Sequence, residues 1–196
     1  MNNDDSALFL AEMAGVKPIK ASDSIFSFDS DIATEAQLSR RAAAAQNEYI
    51  SKLTVDPMMI SAVKPEDMVS YKLDGVQDEV FSHLRLGKYK YQTVVDLHVY
   101  RLAQAREYLI EAIIKAHHRG ERNILVIHGK GFKSKPYPGL MKSAVCQWLM
   151  QLDEVQAYHS ATRTQGGTGA VFVMLVKSAQ QRIEASETNR KGSGFR

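Results

Sequence analysis

The sequence predicts an α/β fold of two layers: a four-stranded mixed sheet in the order βαβαββ, packed against helices and preceded by a mostly helical and irregular extension. Three observations carry this. After Gly87, short apolar runs alternate with segments whose apolar residues recur at helical spacing. Gly120, Pro136, Pro138 and a Gly-rich turn at 166–169 fall where those patterns change. Apolar residues make up 44% and charged residues 24%, the balance of a globular chain with a packed core.

The elements follow in order. Ser6 can cap a helix over 7–16 with Leu8, Phe9 and Met13 on one stripe, and Lys17-Pro18 breaks it. Ser and Asp dominate 21–31 and favour loop. Helical spacing resumes over 34–53 through Leu38, Ala42, Ala45 and Tyr49. Pro57 and Pro65 bound an irregular section, and a helix over 75–86 ends at Gly87. The first 75 residues therefore read as an appendage with helices, not a second core. Thr93 to Val99 alternates as a strand, and 101–119 is an amphipathic helix through Leu102, Ala105, Leu109, Ala112, Ile113 and Ala116. Strand two is 124–128, a second helix spans 140–152, and strands over 155–160 and 170–176 join through the glycine turn. From Glu184 the chain is a polar tail expected to fray.

Composition excludes several classes. No apolar run approaches the roughly 18 residues that cross a bilayer, and MNNDDS is acidic where a secretory signal is basic, so the expected location is cytoplasmic with no membrane partner. The single cysteine, Cys146, forms no internal disulfide and has no basic neighbour to activate it. The net charge of +3 hides an asymmetry: residues 1–81 carry −7, and residues 82–196 carry +10 and all six histidines. A block that basic is the footprint of a surface that meets polyphosphate. The acidic extension is expected to cover that surface, hold a partner or mediate self-association.

Each β-helix-β crossover returns the chain parallel to its start, so the first three strands should present their carboxyl ends at one edge, where open α/β sheets bind ligands. Strand one ends in Asp96 and His98, strand two in His128-Gly129-Lys130-Gly131, and strand three runs into Arg163 and the turn with Gly166 and Gly167. Asp96 and His98, two apart on a strand, should project from one face and act together. An imidazole takes a proton from an attacking hydroxyl or water, while the carboxylate orients it or holds Mg2+ or another divalent cation. Glycines 129 and 131 free backbone amides to approach an anion, and Lys130 adds charge. Arg163 is placed to neutralise a phosphoryl transition state, with His128 as a further phosphate binder. Arg101, Lys133 and Lys88 add phosphate contacts. In Lys88-Tyr89-Lys90-Tyr91 cations interleave with rings, a pattern for binding single strands or simply a solvated strand entry.

VDLHVYR at 95–101, IHGKG at 127–131 and GGTGAVFV at 166–173, each separated by an amphipathic helix, resemble the Smr (small MutS-related) domain. LRLGKYKYQTVVDLH further resembles the stand-alone bacterial members, in which an acidic helical extension precedes the domain. The resemblance divides the chain into an extension at 1–81, an Smr domain at 82–180 and a tail at 181–196. It implies a nuclease, a hydrolase that nicks DNA, with RNA or ribosome-associated RNA as the rival substrate and a non-catalytic nucleic-acid-binding module as the rival class. One residue departs from the pattern: the family usually has Asp-Leu-His-Gly, and Val99 stands in the glycine position. Val disfavours positive φ, so the loop is expected to differ there.

Overall fold

A computed structural model describes residues 35–178 together with 181 and 182. The helix expected at 7–16, the irregular stretch at 21–31 and the tail from Glu184 lie outside the described residues. The elements are α1 (Glu35–Lys52), β1 (Ser70–Lys72), α2 (Asp78–Arg85), β2 (Thr93–Asp96), α3 (Leu102–His118), β3 (Asn123–Ile127), α4 (Leu140–Met150), β4 (Val155–Ser160) and β5 (Ala170–Leu175).

The sheet has the order β1-β4-β5-β3-β2. Strand β2 pairs parallel with β3, while β5 lies antiparallel to both β3 and β4. Thus β2, β3 and β4 run in one direction, as the two crossovers require, and their carboxyl ends share an edge. The expected four strands become five, because β1 pairs antiparallel with β4 at the far edge. Three residues with one inward side chain offer too little periodicity to announce a strand.

The main core lies between one sheet face and the helices. In α3, Ala105, Leu109, Ile110, Ile113 and Ala116 are buried, and α4 contributes Ala144, Val145, Trp148 and Leu149. They meet Val95, Ile124, Val126, Val171, Val173 and Leu175 from the sheet. Each fully buried Leu or Ile contributes roughly 1.5–3 kcal/mol, so this face dominates stability.

The appendage reading needs correction in its described part. Tyr49, Leu53 and Ile60 belong to the same core. Arg106 Nη1 donates to the carbonyls of Ile50 and Leu53 at 3.0 and 2.9 Å, and Trp148 Nε1 donates to the Thr54 carbonyl at 2.8 Å. Lys142 is fully buried and its ammonium donates to the carbonyls of Lys64, Pro65 and Asp67. These clamps use backbone acceptors far along the chain, which no local pattern reveals. The opposite sheet face is partly covered as well: Leu84 of α2 packs with Leu125, Ala157, Phe172 and Met174. Tyr91 tilts against Phe172 and Tyr89 meets His83 edge-on, so one side of each half-buried ring packs against the protein.

Candidate active site

Strand β2 stops at Asp96, three residues earlier than the alternation suggested, and the chain turns through His98 and Val99. The turn has a local cause. Asp96 Oδ1 accepts the backbone N–H of His98 at 3.1 Å, the two-residue side-chain bond that competes with strand pairing. The same oxygen lies 2.5 Å from His98 Nδ1. An ionised carboxylate only accepts, so Nδ1 carries the proton and Nε2 is left for a reacting group. The juxtaposition expected from strand alternation is thus made by a turn instead. The side chains of His98 and Asp96 are 58% and 45% exposed, while Val95 and Leu97 point into the core. Partial burial raises the Asp96 pKa, but the hydrogen bonds from the His98 ring and amide, together with its charge, outweigh it and hold the carboxyl below its ordinary value.

The other two motifs meet this turn. The Leu97 amide donates to the Ile127 carbonyl at 2.7 Å, and a Cβ on Gly129 (φ +74°) would stand 3.8 Å from His98 Cβ. Gly129 therefore brings the second loop beside the dyad with the left-handed backbone that glycine tolerates. The amides of His128 and Gly129 both donate to the Gly169 carbonyl, at 3.1 and 2.9 Å, and a Cβ on Gly169 would meet Lys130 at 3.4 Å. Lys130 is exposed, with its ammonium 6.0 Å from the Phe132 ring centre. Gly131 continues this loop, and Lys133 is exposed on it. Arg101 is exposed just beyond the dyad, and Lys88 is exposed after α2.

His128 is the correction. Its side chain is only 3% exposed, Nδ1 donates to the Gly129 carbonyl at 2.7 Å, and buried Nε2 has no partner. Burial pushes its pKa down to about 4, with Lys142 repelling the proton further against the opposing Gly129 bond. A neutral, enclosed imidazole does not reach a phosphate on the open rim. It supports the loop that carries Gly129 and Lys130. Val99 takes no positive φ, as no non-glycine residue does among the described residues, and its side chain is 73% exposed.

On Lys130, which follows the Gly129 that abuts His98, opens a groove of about 860 Å³ lined also by Arg163, Gly166 and Gly167 and not by Asp96 or His98 themselves. The expected hairpin turn is in fact two short 3-10 turns, Arg163–Gln165 and Gly167–Gly169, which shape its wall. Sequence reasoning missed two lining residues, Arg85 and His159. Arg85 had a faint signal as the cation in the last turn before Gly87. His159 sits one residue from the end of β4 and had the same claim to the rim as His98.

An acid-imidazole pair beside a glycine-lysine loop, at the carboxyl edge of a mixed α/β sheet, is the arrangement the Smr-like motifs led one to expect. The comparisons agree. The Smr domain signature matches residues 95–176. The chain is 32% identical over 197 residues, 98% of its own length and 100% of the relative's, to the probable DNA endonuclease SmrA of Escherichia coli (strain K12). It is 30% identical over 179 residues, covering 89% of this chain and 95% of the relative, to the ribosome rescue factor SmrB of Shewanella putrefaciens (strain CN-32 / ATCC BAA-453). The crystal structure of YdaL, a stand-alone small MutS-related protein from Escherichia coli, superposes with a TM-score of 0.58 at 32% identity, covering 67% of this chain and 99% of that one. The chain belongs to the Smr family. Among the described residues no helix is long and apolar enough to cross a membrane.

Proposed function

We propose that this chain is a nucleic-acid endonuclease in which His98 is the general base and Asp96 orients it. The observation that carries the reading is the exposed 2.5 Å Asp96–His98 pair held beside the Gly129-Lys130 loop. With Nδ1 held by the carboxylate, His98 Nε2 faces the reacting oxygen and takes its proton as that oxygen attacks phosphorus. Lys130 and Arg163 balance the charge that builds on the phosphoryl oxygens, where positive charge stabilises the transition state most. The ester bond to the leaving oxygen breaks, and that oxygen takes up a proton.

DNA nicking is the first reading, supported by the near full-length likeness to a probable DNA endonuclease. There the nucleophile is water. Among the described residues no group of three or more His, Cys, Asp or Glu is placed to hold a metal ion. A divalent cation at Asp96 would therefore take one oxygen from this chain and complete its shell from water and phosphate, as Mg2+ often does. RNA cleavage is the second reading, favoured by the dyad: a 2′-hydroxyl beside His98 is an internal nucleophile, and its attack leaves a 2′,3′-cyclic phosphate and a 5′-hydroxyl. The likeness to ribosome rescue factors supports RNA as a partner.

The test is incubation of purified full-length protein with end-labelled single-stranded and duplex DNA and RNA, with and without chelator, followed by end-group analysis. A cyclic phosphate identifies RNA chemistry, and nicked duplex identifies DNA chemistry. Undiminished cleavage by a clean His98→Ala preparation would overturn the catalytic assignment. Binding without cleavage by the wild type would place the chain in the class of binding modules.

A further inference from the structure

The groove at Lys130 has a chemistry that cleavage alone does not require. Its volume of about 860 Å³ lies within the roughly 300–1,000 Å³ typical of sites for small organic ligands, far more than a phosphate needs. Arg85, Lys130 and Arg163 line it from three different segments, and no carboxylate lines it. All three cations are exposed, and none enters an ion pair among the described residues. Three cations converging without a counter-charge repel one another, a cost that persists where an anion is to be received.

The groove also has a polar interior. His159 lines it while only 8% exposed, and its Nδ1 donates to the Ser160 carbonyl at 2.8 Å. That bond leaves Nε2 as the ring's acceptor. The ring is held from behind by an edge contact with Phe81, at 5.9 Å between centres. Met68, which lines it from the segment leading into β1, is 61% exposed and gives the site an apolar side. A cationic rim, a fixed buried acceptor and an apolar wall match a nucleotide whose base is out of the stack: phosphate to the cations, base edge to His159, base face to Met68. A base paired within a duplex cannot enter.

We infer that this groove is a subsite for one unpaired nucleotide next to the cleaved phosphate, with Arg85 binding its phosphate and His159 its base edge, which makes unpaired strands the preferred substrate. The inference rests on the cleavage reading for its position: Lys130 both lines the groove and follows Gly129, the residue that abuts His98. It goes beyond that reading by assigning Arg85 and His159 and by naming the strand state.

The test uses the full-length protein carrying His98→Ala, so that the probe survives, and measures binding of labelled single-stranded DNA and RNA and of blunt duplexes of the same sequence. The expected result is at least tenfold tighter binding of one single strand than of its duplex. Arg85→Gln, at an exposed position that leaves the fold intact, should weaken single-strand binding about tenfold. It should also lower the slope of log affinity against log salt by about 0.7, the change for one lost phosphate contact. His159→Gln should weaken binding several-fold with the slope unchanged. Its effect should vanish when the base in the groove is removed, at one position in a scan of single abasic residues. His159→Asn supplies a second variant if His159→Gln does not fold.

Equal or tighter duplex binding would overturn the inference, and so would an unchanged salt slope in Arg85→Gln. Losses from His159→Gln that simply add to those of every abasic residue would overturn the base contact. If these binding effects hold while the wild type cleaves nothing, the groove stands and the chemistry assigned to His98 falls. If the wild type cleaves and Arg85→Gln matches it in affinity and slope, the groove falls and the chemistry stands.

Discussion

Two neighbouring strand ends each deliver a histidine, and the two histidines meet opposite environments. His98 leaves β2 on an exposed turn with its ring held by Asp96. His128 leaves β3 into the interior, with one ring nitrogen on its neighbour's carbonyl and the other enclosed without a partner. The paired parallel strands run side by side, yet one imidazole is available for proton transfer and the other is held neutral by burial. Residue type at a strand end does not assign chemistry. Solvent access and the partner of the second nitrogen do.

The largest expected effect tests the exposed histidine. His98→Ala should lower the cleavage rate by about 10²–10⁴-fold, the usual contribution of a positioned general base. Binding affinity for the same oligonucleotide should stay within about twofold. A melting curve matching wild type would separate lost chemistry from lost folding. Were cleavage to fall only after His128 is replaced, with His98→Ala near normal, the contrast between the two would be reversed.

Next comes the clamp behind the buried histidine. Lys142→Met removes three hydrogen bonds from a buried ammonium to backbone carbonyls and should destabilise the protein by about 1.5–3 kcal/mol, measured by urea unfolding at pH 7. It also removes a positive charge that opposes protonation of His128, so the His128 pKa should rise.

The buried histidine itself predicts a pH dependence whose sign is fixed. Its folded pKa, about 4, lies below the ordinary 6.5, so between those values the unfolded chain binds the proton and the folded one does not. Unfolding free energy therefore falls as pH falls through that window, by about 2 kcal/mol between pH 7 and pH 5. His117, whose pKa burial also lowers, adds in the same direction. Urea unfolding of His128→Gln across pH 5–7 should retain only the weaker slope due to His117. An undiminished slope would mean that His128 is not held neutral.

The smallest effect belongs to Val99. Because its backbone is ordinary and its side chain mostly exposed, Val99→Gly should change stability by less than about 0.5 kcal/mol and cleavage by less than about twofold. A large gain in cleavage would show that the side chain obstructs the substrate, a steric effect and not one of φ.

Much of the frame was legible because its signals are local. The 3.6-residue spacing of Leu109, Ile113 and Ala116 announced α3, and Trp148 with Leu149 announced the buried face of α4. The two crossovers gave parallel β2, β3 and β4, and hence the shared edge with Asp96, His98, Lys130 and Arg163. Strand β1 and the docking of Leu53 and Ile60 were hidden because their energy comes from distant partners. The groove was half legible: Lys130 and Arg163 lay in loops that already drew notice, while Arg85 and His159 sat in regular elements with nothing to mark them.

The sequence alone determined the periodicities, and with them the common direction of β2, β3 and β4 and the set of loops that reach one sheet edge. It also determined that Asp96 and His98 lie close, since two residues cannot separate far. Tertiary structure alone decided which histidine is wet and which is dry, that Lys142 spends its charge on three carbonyls, and that Arg85 and His159 share a cavity. The physical reason is range. Periodicity and turns are set by neighbours within a few residues, whereas burial, and the proton affinity it controls, is the sum of what every other segment brings to the spot.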